Sequence, residues 1–174
     1  MKKAVIIYST IDGQTKNISI KLREYSEQKK SIDLFSINEI EKIDLQAYQK
    51  IILGASIRYG KHNPKVFDFV KNYKDILDKK DTAFFTVNVV ARKIEKNTPE
   101  TNPYMKKFLK KSGWKPEKLG VFAGKIDYPR YGFFDKQMIR LIMFITKGPT
   151  DTSQIYEFTD WDEVREFSRQ LFEE

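Results

Sequence analysis

A short polar segment near the N-terminus has the residue types of a phosphate site. It contains three hydroxyls, one glycine and a helix start within seven residues. Hydroxyl and backbone N–H groups can surround a phosphate there, because the positive end of a helix dipole favours an anion. The alternative is a plain turn that caps the helix. The residues predicted to hold the phosphate are Ser9, Thr10, Asp12, Gly13, Gln14 and Thr15.

Two further segments, 54–60 and 88–92, could surround a planar aromatic ring. Their small residues would let backbone N–H groups approach carbonyl oxygens on the ring. Tyr59 could stack on it, and Gly60 can adopt backbone conformations that larger residues resist. The residues predicted to hold the ring are Ala55, Ser56, Ile57, Arg58, Tyr59, Gly60, Asn88, Val89, Val90, Ala91 and Arg92.

The elements between these segments alternate between strand and helix. Short apolar runs predict strands at 3–8, 32–35, 50–54, 82–90 and 119–123, with helical spacing of apolar residues between several of them. This alternation predicts an α/β fold, a doubly wound five-stranded parallel sheet with helices on both faces. Ligands of such sheets bind at the carboxyl ends of the strands, where all three segments lie.

The alternation fails after the fifth predicted strand. An insertion over about 125–152 is expected to interrupt that strand, and 155–159 has strand character again. No repeat, linker or low-complexity tract divides the sequence. We therefore predict one domain over 1–174.

Composition narrows the classes of function. The 174 residues contain no cysteine and one histidine, which excludes disulfides, thiol catalysis and multi-histidine metal sites, so no metal site is predicted. That histidine, His62, is expected to be a polar surface residue. The first apolar run is too short for a signal peptide, and no run could span a bilayer, so a cytoplasmic location is expected. The net charge of +8 favours anionic partners such as nucleic acid, anionic lipid or polycarboxylates.

The insertion contains an amphipathic segment at 131–147. Wound as a helix, it places Phe134, Met138, Leu141 and Ile145 on one side. The opposite side would hold Lys136, Arg140 and Lys147, with Met143 among them. Such a helix suits an anionic membrane surface. Two alternatives stay open: a lid over the bound ring, and packing against its own domain or a second subunit.

Several motifs together identify a family resemblance. The matching stretches are 9–15, 54–60, 87–93, 95–99, 128–131, 138–143, 150–152 and 159–161. Over nearly its whole length the chain resembles the menaquinone-dependent protoporphyrinogen IX dehydrogenases, which are flavodoxin-like enzymes of bacterial haem synthesis. The stretch 57–60 and the insertion carry the more specific part of this resemblance.

The resemblance implies an FMN cofactor in a flavodoxin-like fold, with protoporphyrinogen IX as the reductant and menaquinone as the oxidant. Arg58, Arg92 and Arg130 would be suited to the two substrate propionates, because arginine pairs with carboxylates in bidentate fashion. No side chain is assigned as catalytic, since the flavin carries the redox chemistry. The residues expected near substrate, quinone or membrane are Arg130, Tyr131, Phe134, Met138, Arg140, Leu141 and Ile145.

Other functions and partners follow less directly. A flavodoxin that carries electrons between proteins is the main alternative, although its docking face should be acidic. A quinone reductase using NAD(P)H is a further one, and the absence of a Gly-x-Gly-x-x-Gly fingerprint argues weakly against it. Peripheral attachment at the cytoplasmic face of the cell membrane and homo-oligomer formation stay open, and no nucleic-acid partner is expected.

Overall fold

A computed structural model describes residues 3–27 and 29–173. In this part of the chain, five parallel strands form the main sheet in the order β2-β1-β3-β5-β6. They are β1 (Ala4–Ser9), β2 (Ile32–Ser36), β3 (Lys50–Arg58), β5 (Asp81–Val87) and β6 (Lys118–Phe122). A two-residue strand, β4 (Lys61–His62), pairs antiparallel with the end of β3. The predicted five-stranded parallel sheet is thus confirmed.

Helices cover both faces of the sheet. They are α1 (Gln14–Tyr25), α2 (Pro64–Leu77), α3 (Pro103–Ser112) and α5 (Trp161–Phe172), while a further helix, α4 (Phe133–Ile145), lies in the insertion. Apolar residues of α1 and α5 pack on one face of the central strands, as Leu22 and Phe167 do in one buried cluster. Residues of α2 and α3 pack on the other face, as Val66 and Phe108 do. The central strands read as continuous apolar runs because both of their faces are covered.

Strand β3 is longer than predicted. The expectation that it ends at residue 54 is wrong, because the strand continues to Arg58 and the chain then turns back into β4. The turn residues Tyr59 and Gly60 have φ values of 50° and 73°. Such a pair of left-handed residues matches the twist of a tight hairpin.

Strand β5 is shorter than the predicted 82–90 because Asn88 ends it. The side chain of Asn88 accepts a hydrogen bond from the backbone N–H of Ala91, at 3.1 Å. This cap starts a 3-10 turn over Val89–Arg92. Residues 89–92 therefore form a compact turn at the end of the sheet.

The insertion begins and ends in a small antiparallel ribbon. Strand β7 (Lys125–Asp127) pairs with β8 (Ile155–Glu157), so the strand predicted at 155–159 has β7 as its partner rather than the main sheet. Helix α4 lies between these strands. A third apolar cluster, built on Ile126, Tyr128 and Met143, attaches the insertion to the domain.

His62 is buried, so the expectation of a surface histidine is wrong. Only 7% of it is exposed, and its ring contacts the rings of Phe67, Phe84 and Phe108. Its Nε2 atom lies 3.0 Å from Oγ1 of Thr86. Burial, with a smaller effect of the Lys107 charge, lowers the pKa of His62 to about 4. The imidazole is therefore neutral at neutral pH.

Among the described residues, no helix has the length and apolarity needed to cross a bilayer.

Candidate functional site

A large cleft lies at the carboxyl ends of β1, β3 and β5. Its empty space is about 1010 Å³ when the open solvent at its mouth is included. All three predicted segments contribute to its wall. The predicted ligand residues that line it are Thr10, Asp12, Gln14, Thr15, Ser56, Ile57, Arg58, Tyr59, Gly60, Asn88, Val89, Val90 and Arg92.

Several predicted residues are not part of this lining. In the three segments these are Ser9, Gly13, Ala55 and Ala91. Of the residues predicted in the insertion, Tyr131 lines the cleft, whereas Arg130, Phe134, Met138, Arg140, Leu141 and Ile145 do not. The structure therefore brings Arg58 and Arg92 to the cleft but leaves Arg130 outside it.

The segment after β1 has the geometry of an anion site. Gly13 precedes α1 with a φ of 92°, and its backbone N–H donates to Oγ1 of Thr10 at 3.0 Å. Oγ1 of Thr15, in the first turn of α1, is buried and has no hydrogen-bond partner among the described residues. A buried hydroxyl without a partner is costly, so a ligand oxygen is the fitting partner for it. Together with the positive end of α1, these groups fit a phosphate.

The hairpin between β3 and β4 forms the second wall. Tyr59 is 44% exposed at its tip, and its hydroxyl donates to a carboxylate oxygen of Asp135 in the first turn of α4. That hydrogen bond is the main reason why the pKa of Tyr59 is raised. Nη2 of Arg58 contacts Oδ1 of Asp12 at 2.5 Å, and its guanidinium lies 5.4 Å from the centre of the Tyr131 ring. The hairpin therefore connects the phosphate segment with the insertion.

The turn after β5 is held by an amide pair that the sequence did not reveal. Nδ2 of Asn102 donates to Oδ1 of Asn88 at 3.1 Å, and Asn102 also caps α3 by accepting from Tyr104 and Met105. The side chain of Asn88 is therefore already engaged, and any contact it makes with a ring would come from its backbone. The one local signal for Asn102 is the Asn-Pro pair that opens α3.

Arg92 joins this turn to the far end of α4. Its guanidinium donates to the carbonyl oxygen of Val89 at 3.0 Å and to that of Thr146 at 3.1 Å. Burial lowers the pKa of Arg92. No ion pair of Arg92 with an acidic residue is found in the described part of the chain.

Helix α4 turns its two sides toward different surroundings. Four residues of its inner side and C-terminal end line the cleft, namely Ile139, Ile142, Met143 and Thr146. The face predicted to be apolar points outward, since Phe134, Leu141 and Ile145 are 73%, 52% and 69% exposed, while Met138 is half-buried. The helix thus packs against its own domain through Met143 on its inner side, and this outward face does not take part in that packing. Sequence periodicity missed the inner face because it cannot say which side of a helix meets the core.

The strand order and the position of the cleft are those of a flavodoxin-type domain. Residues 5–153 match the family model described as a flavodoxin domain. The chain is 42% identical over 170 residues to protoporphyrinogen IX dehydrogenase (quinone) of Escherichia coli, covering 97% of this chain and 94% of that protein. A protein of the same name from Leishmania major is 44% identical over 168 residues, covering 95% and 73%. This chain belongs to the flavodoxin domain family and, within it, to the group formed by these dehydrogenases.

Solved structures agree with this fold. Oxidised flavodoxin 1 from Bacillus cereus has a TM-score of 0.53 at 17% identity, covering 98% of this chain and 97% of that one. A short-chain flavodoxin associated with a bacterial microcompartment has a TM-score of 0.51 at 14% identity, with the same coverage. At these identities the similarity shows the fold alone. The family and the geometry of the cleft indicate a flavin as the cofactor.

Proposed function

We propose that the chain is an FMN-dependent dehydrogenase that oxidises protoporphyrinogen IX and delivers the electrons to a quinone, with menaquinone as the acceptor. The names of its relatives support the reaction class. The observation that carries the proposal is the two-sided cleft, with three strand-end segments on one side and the inner face of α4 on the other. An electron carrier that meets its partners at an exposed flavin edge has no need of such a second wall.

The phosphate segment would hold FMN at its phosphate. The hydroxyl of Thr15, the turn at Gly13 and the positive end of α1 are the groups that fit this anion. The hairpin at Tyr59 and the turn over Val89–Arg92 would hold the ring. FMN, which lacks the adenylate of FAD, fits because all of these groups belong to one cleft at the ends of neighbouring strands. The flavin supplies the two-electron redox chemistry when bound.

The inner face of α4 would receive the tetrapyrrole. Ile139, Ile142 and Met143 present an apolar wall to the cleft, which suits a large flat ring and excludes water from it. Arg58 and Arg92 supply positive charge at the same cleft for the two propionates. Loss of six electrons from the substrate requires three rounds of two-electron oxidation in this position.

The outer face of α4 supports attachment to an anionic bilayer as part of this function. Phe133 and Phe144 are 82% and 75% exposed on it. Patches of exposed apolar residues of this kind mark interaction surfaces. Lys136 and Arg140 on the same helix, and Lys147 just after it, add positive charge. An amphipathic helix with this pattern binds in the headgroup region, where a lipid-soluble quinone is available.

Co-sedimentation with vesicles tests this attachment. Wild-type protein is expected to bind phosphatidylglycerol vesicles more strongly than phosphatidylcholine vesicles, with salt weakening the binding. Replacing Phe134 and Phe144 together by serine should reduce binding at least tenfold. Ile94→Ser is the matched control, because Ile94 is 83% exposed but lies outside α4. Equal binding to both lipids, or self-association without lipid that the double variant abolishes, would argue instead for a protein–protein face.

Anaerobic mixing of the FMN-loaded protein with protoporphyrinogen IX tests the reaction itself. With the flavin in excess, so that three flavins accept the six electrons of one porphyrinogen, we expect the flavin absorbance to bleach while porphyrin fluorescence rises, and a menaquinone analogue to restore the absorbance. A flavin that stays oxidised with the porphyrinogen, yet forms a stable one-electron state with a reductase partner, identifies an electron carrier. Rapid reduction by NADPH identifies a nicotinamide-linked quinone reductase instead.

A further inference from the structure

The guanidinium of Arg58 lies between two carboxylates that come from different parts of the chain. Nη2 contacts Oδ1 of Asp12 at 2.5 Å, and Asp12 belongs to the segment after β1. Nη1 is 3.7 Å from Oδ2 of Asp135, which belongs to the first turn of α4. Arg58 itself lines the cleft, and only 16% of its side chain is exposed. The same arginine thus faces the cofactor segment, the cleft and the insertion.

The two carboxylates do not hold Arg58 equally. Asp12 is at hydrogen-bond distance, whereas Asp135 is beyond it, and the other oxygen of Asp135 accepts from Tyr59. Asp135 is also the more exposed of the two, at 46% of its side chain against 34%. An exposed ion pair of this kind contributes little free energy. Nη1 is therefore the side of Arg58 where another carboxylate could replace the present one.

We propose that Nη1 of Arg58 binds a carboxylate of the substrate and that Asp135 competes with this carboxylate for the same position. The proposal rests on the tetrapyrrole oxidation proposed above. It adds that the site prefers a tetrapyrrole with free carboxylates over its ester. Binding of the substrate would displace Asp135 from Nη1 and leave the hydrogen bond from Tyr59 as the remaining contact of Asp135 with the hairpin. Arginine is suited to the exchange, since its fork can keep Asp12 on one nitrogen while a new carboxylate occupies the other.

The two ends of α4 are attached in ways that allow such a displacement of Asp135. Gly132 precedes the helix, and a Cβ built on it would meet nothing within 4 Å, so the chain has room to move there. At the other end, Met143 is buried and Thr146 accepts from Arg92. The start of α4 could therefore move while its end stays in place.

Equilibrium binding of protoporphyrin IX and of its dimethyl ester to the FMN-loaded protein tests the proposal without turnover. Porphyrin emission reports both dissociation constants. For Asp135→Asn we expect the diacid to bind about threefold to fivefold more tightly, since a competitor of ordinary ion-pair strength is lost. Binding of the ester should not change. Asp135→Glu keeps the carboxylate and should behave like the wild type.

Two further variants control the interpretation. Asp162→Asn removes a carboxylate 3.6 Å from Arg165 on α5, a comparable pair on the surface, and should change neither constant. Arg58→Met should weaken diacid binding and reduce the preference for diacid over ester. Circular dichroism melting will show that each variant is folded.

Certain outcomes overturn the proposal. Weaker or unchanged diacid binding in Asp135→Asn excludes Asp135 as a competitor, and so does an equal change for the ester. Failure of the wild type to bind the diacid also overturns it. If the diacid effects are as expected but protoporphyrinogen does not reduce the flavin of the wild type, the proposed function fails and the carboxylate position stands.

Discussion

Arg92 donates a hydrogen bond from Nη2 to the carbonyl oxygen of Thr146 at 3.1 Å, across 54 positions of sequence. This contact ties the turn after β5 to the last carbonyls of α4, where a positive charge is favourable. The ring-binding wall and the insertion therefore share one side chain at this end of the cleft.

Replacement of Arg92 by methionine should loosen the C-terminal end of α4. A charge-assisted hydrogen bond is worth about 1.5–3 kcal/mol, so we expect a loss of stability of this order. Trypsin cleavage after Arg140 and Lys147 should become faster, as followed by mass spectrometry. Arg130→Met is the control, because Arg130 is exposed and lies outside the cleft. Equal cleavage rates in both variants would contradict this role of Arg92.

Thr15→Val separates flavin binding from folding. The hydroxyl of Thr15 is buried without a partner, so its removal should leave the melting temperature of the flavin-free protein equal or higher. Loss of one hydrogen bond to a charged phosphate should weaken FMN binding about tenfold to a hundredfold, measured by quenching of flavin fluorescence.

Ser19→Ala is the control for Thr15→Val, and we expect it to have the opposite effects on stability and on FMN affinity. The hydroxyl of Ser19 donates to the carbonyl oxygen of Thr15 at 2.8 Å, so its partner is already present. We expect Ser19→Ala to lower stability and to leave FMN affinity nearly unchanged. An unaltered FMN affinity in Thr15→Val would exclude its hydroxyl as a phosphate ligand.

His62 should make folding sensitive to acid. Its pKa is about 4 in the folded protein against an ordinary 6.5, so between these values the unfolded chain binds the additional proton. The contribution of the neutral His62 to the free energy of unfolding is complete above about pH 6.5. It is lost as the pH falls toward 4, by up to about 3 kcal/mol. Urea unfolding of wild type and His62→Phe at pH 7.5 and pH 5 measures this effect. A wild-type slope that persists in the variant would assign the acid sensitivity to other groups.

Gly54, in the middle of β3, and Gly60, in the hairpin turn, should differ in their tolerance of alanine. A Cβ on Gly54 would lie 2.1 Å from the ring of Phe85, so Gly54→Ala requires the core to shift. A Cβ on Gly60 meets nothing within 4 Å, and only its φ of 73° opposes the change, at a cost of about 1 kcal/mol. Thermal melting should therefore show a clearly larger loss for Gly54→Ala, and the reverse order would contradict the close approach to Phe85.

Local patterns were sufficient to predict the sheet and the first ligand segment. Continuous apolar runs mark strands buried on both faces, and the hydroxyls before α1 lie where helix geometry exposes N–H groups. The end of β3 was missed because Ser56 and Arg58 are polar, although they continue the strand up to the hairpin turn. A pattern of apolar residues shows which side chains are buried. It does not show how far the backbone hydrogen bonds of a strand extend.

Contacts distant in sequence explain the remaining differences. The pairing of Asn88 with Asn102 joins residues that share no local pattern, and it converts a predicted ring ligand into a support for the turn. His62 is buried because aromatic rings from three other elements surround it, which its neighbours in sequence do not indicate. The direction of α4 depends in the same way on a cluster assembled from both ends of the insertion.

The ribbon formed by β7 and β8 has a consequence for how this family can diversify. Because Lys125 is the register partner of Glu157, the insertion leaves and rejoins the domain at adjacent points. Its length can then change with little effect on the rest of the fold, since the entropy of closing a loop rises by only about 0.6 kcal/mol for each doubling of its length. Homologues could thus have a longer, shorter or different insertion that suits other electron acceptors, while the sheet and its flavin site stay the same.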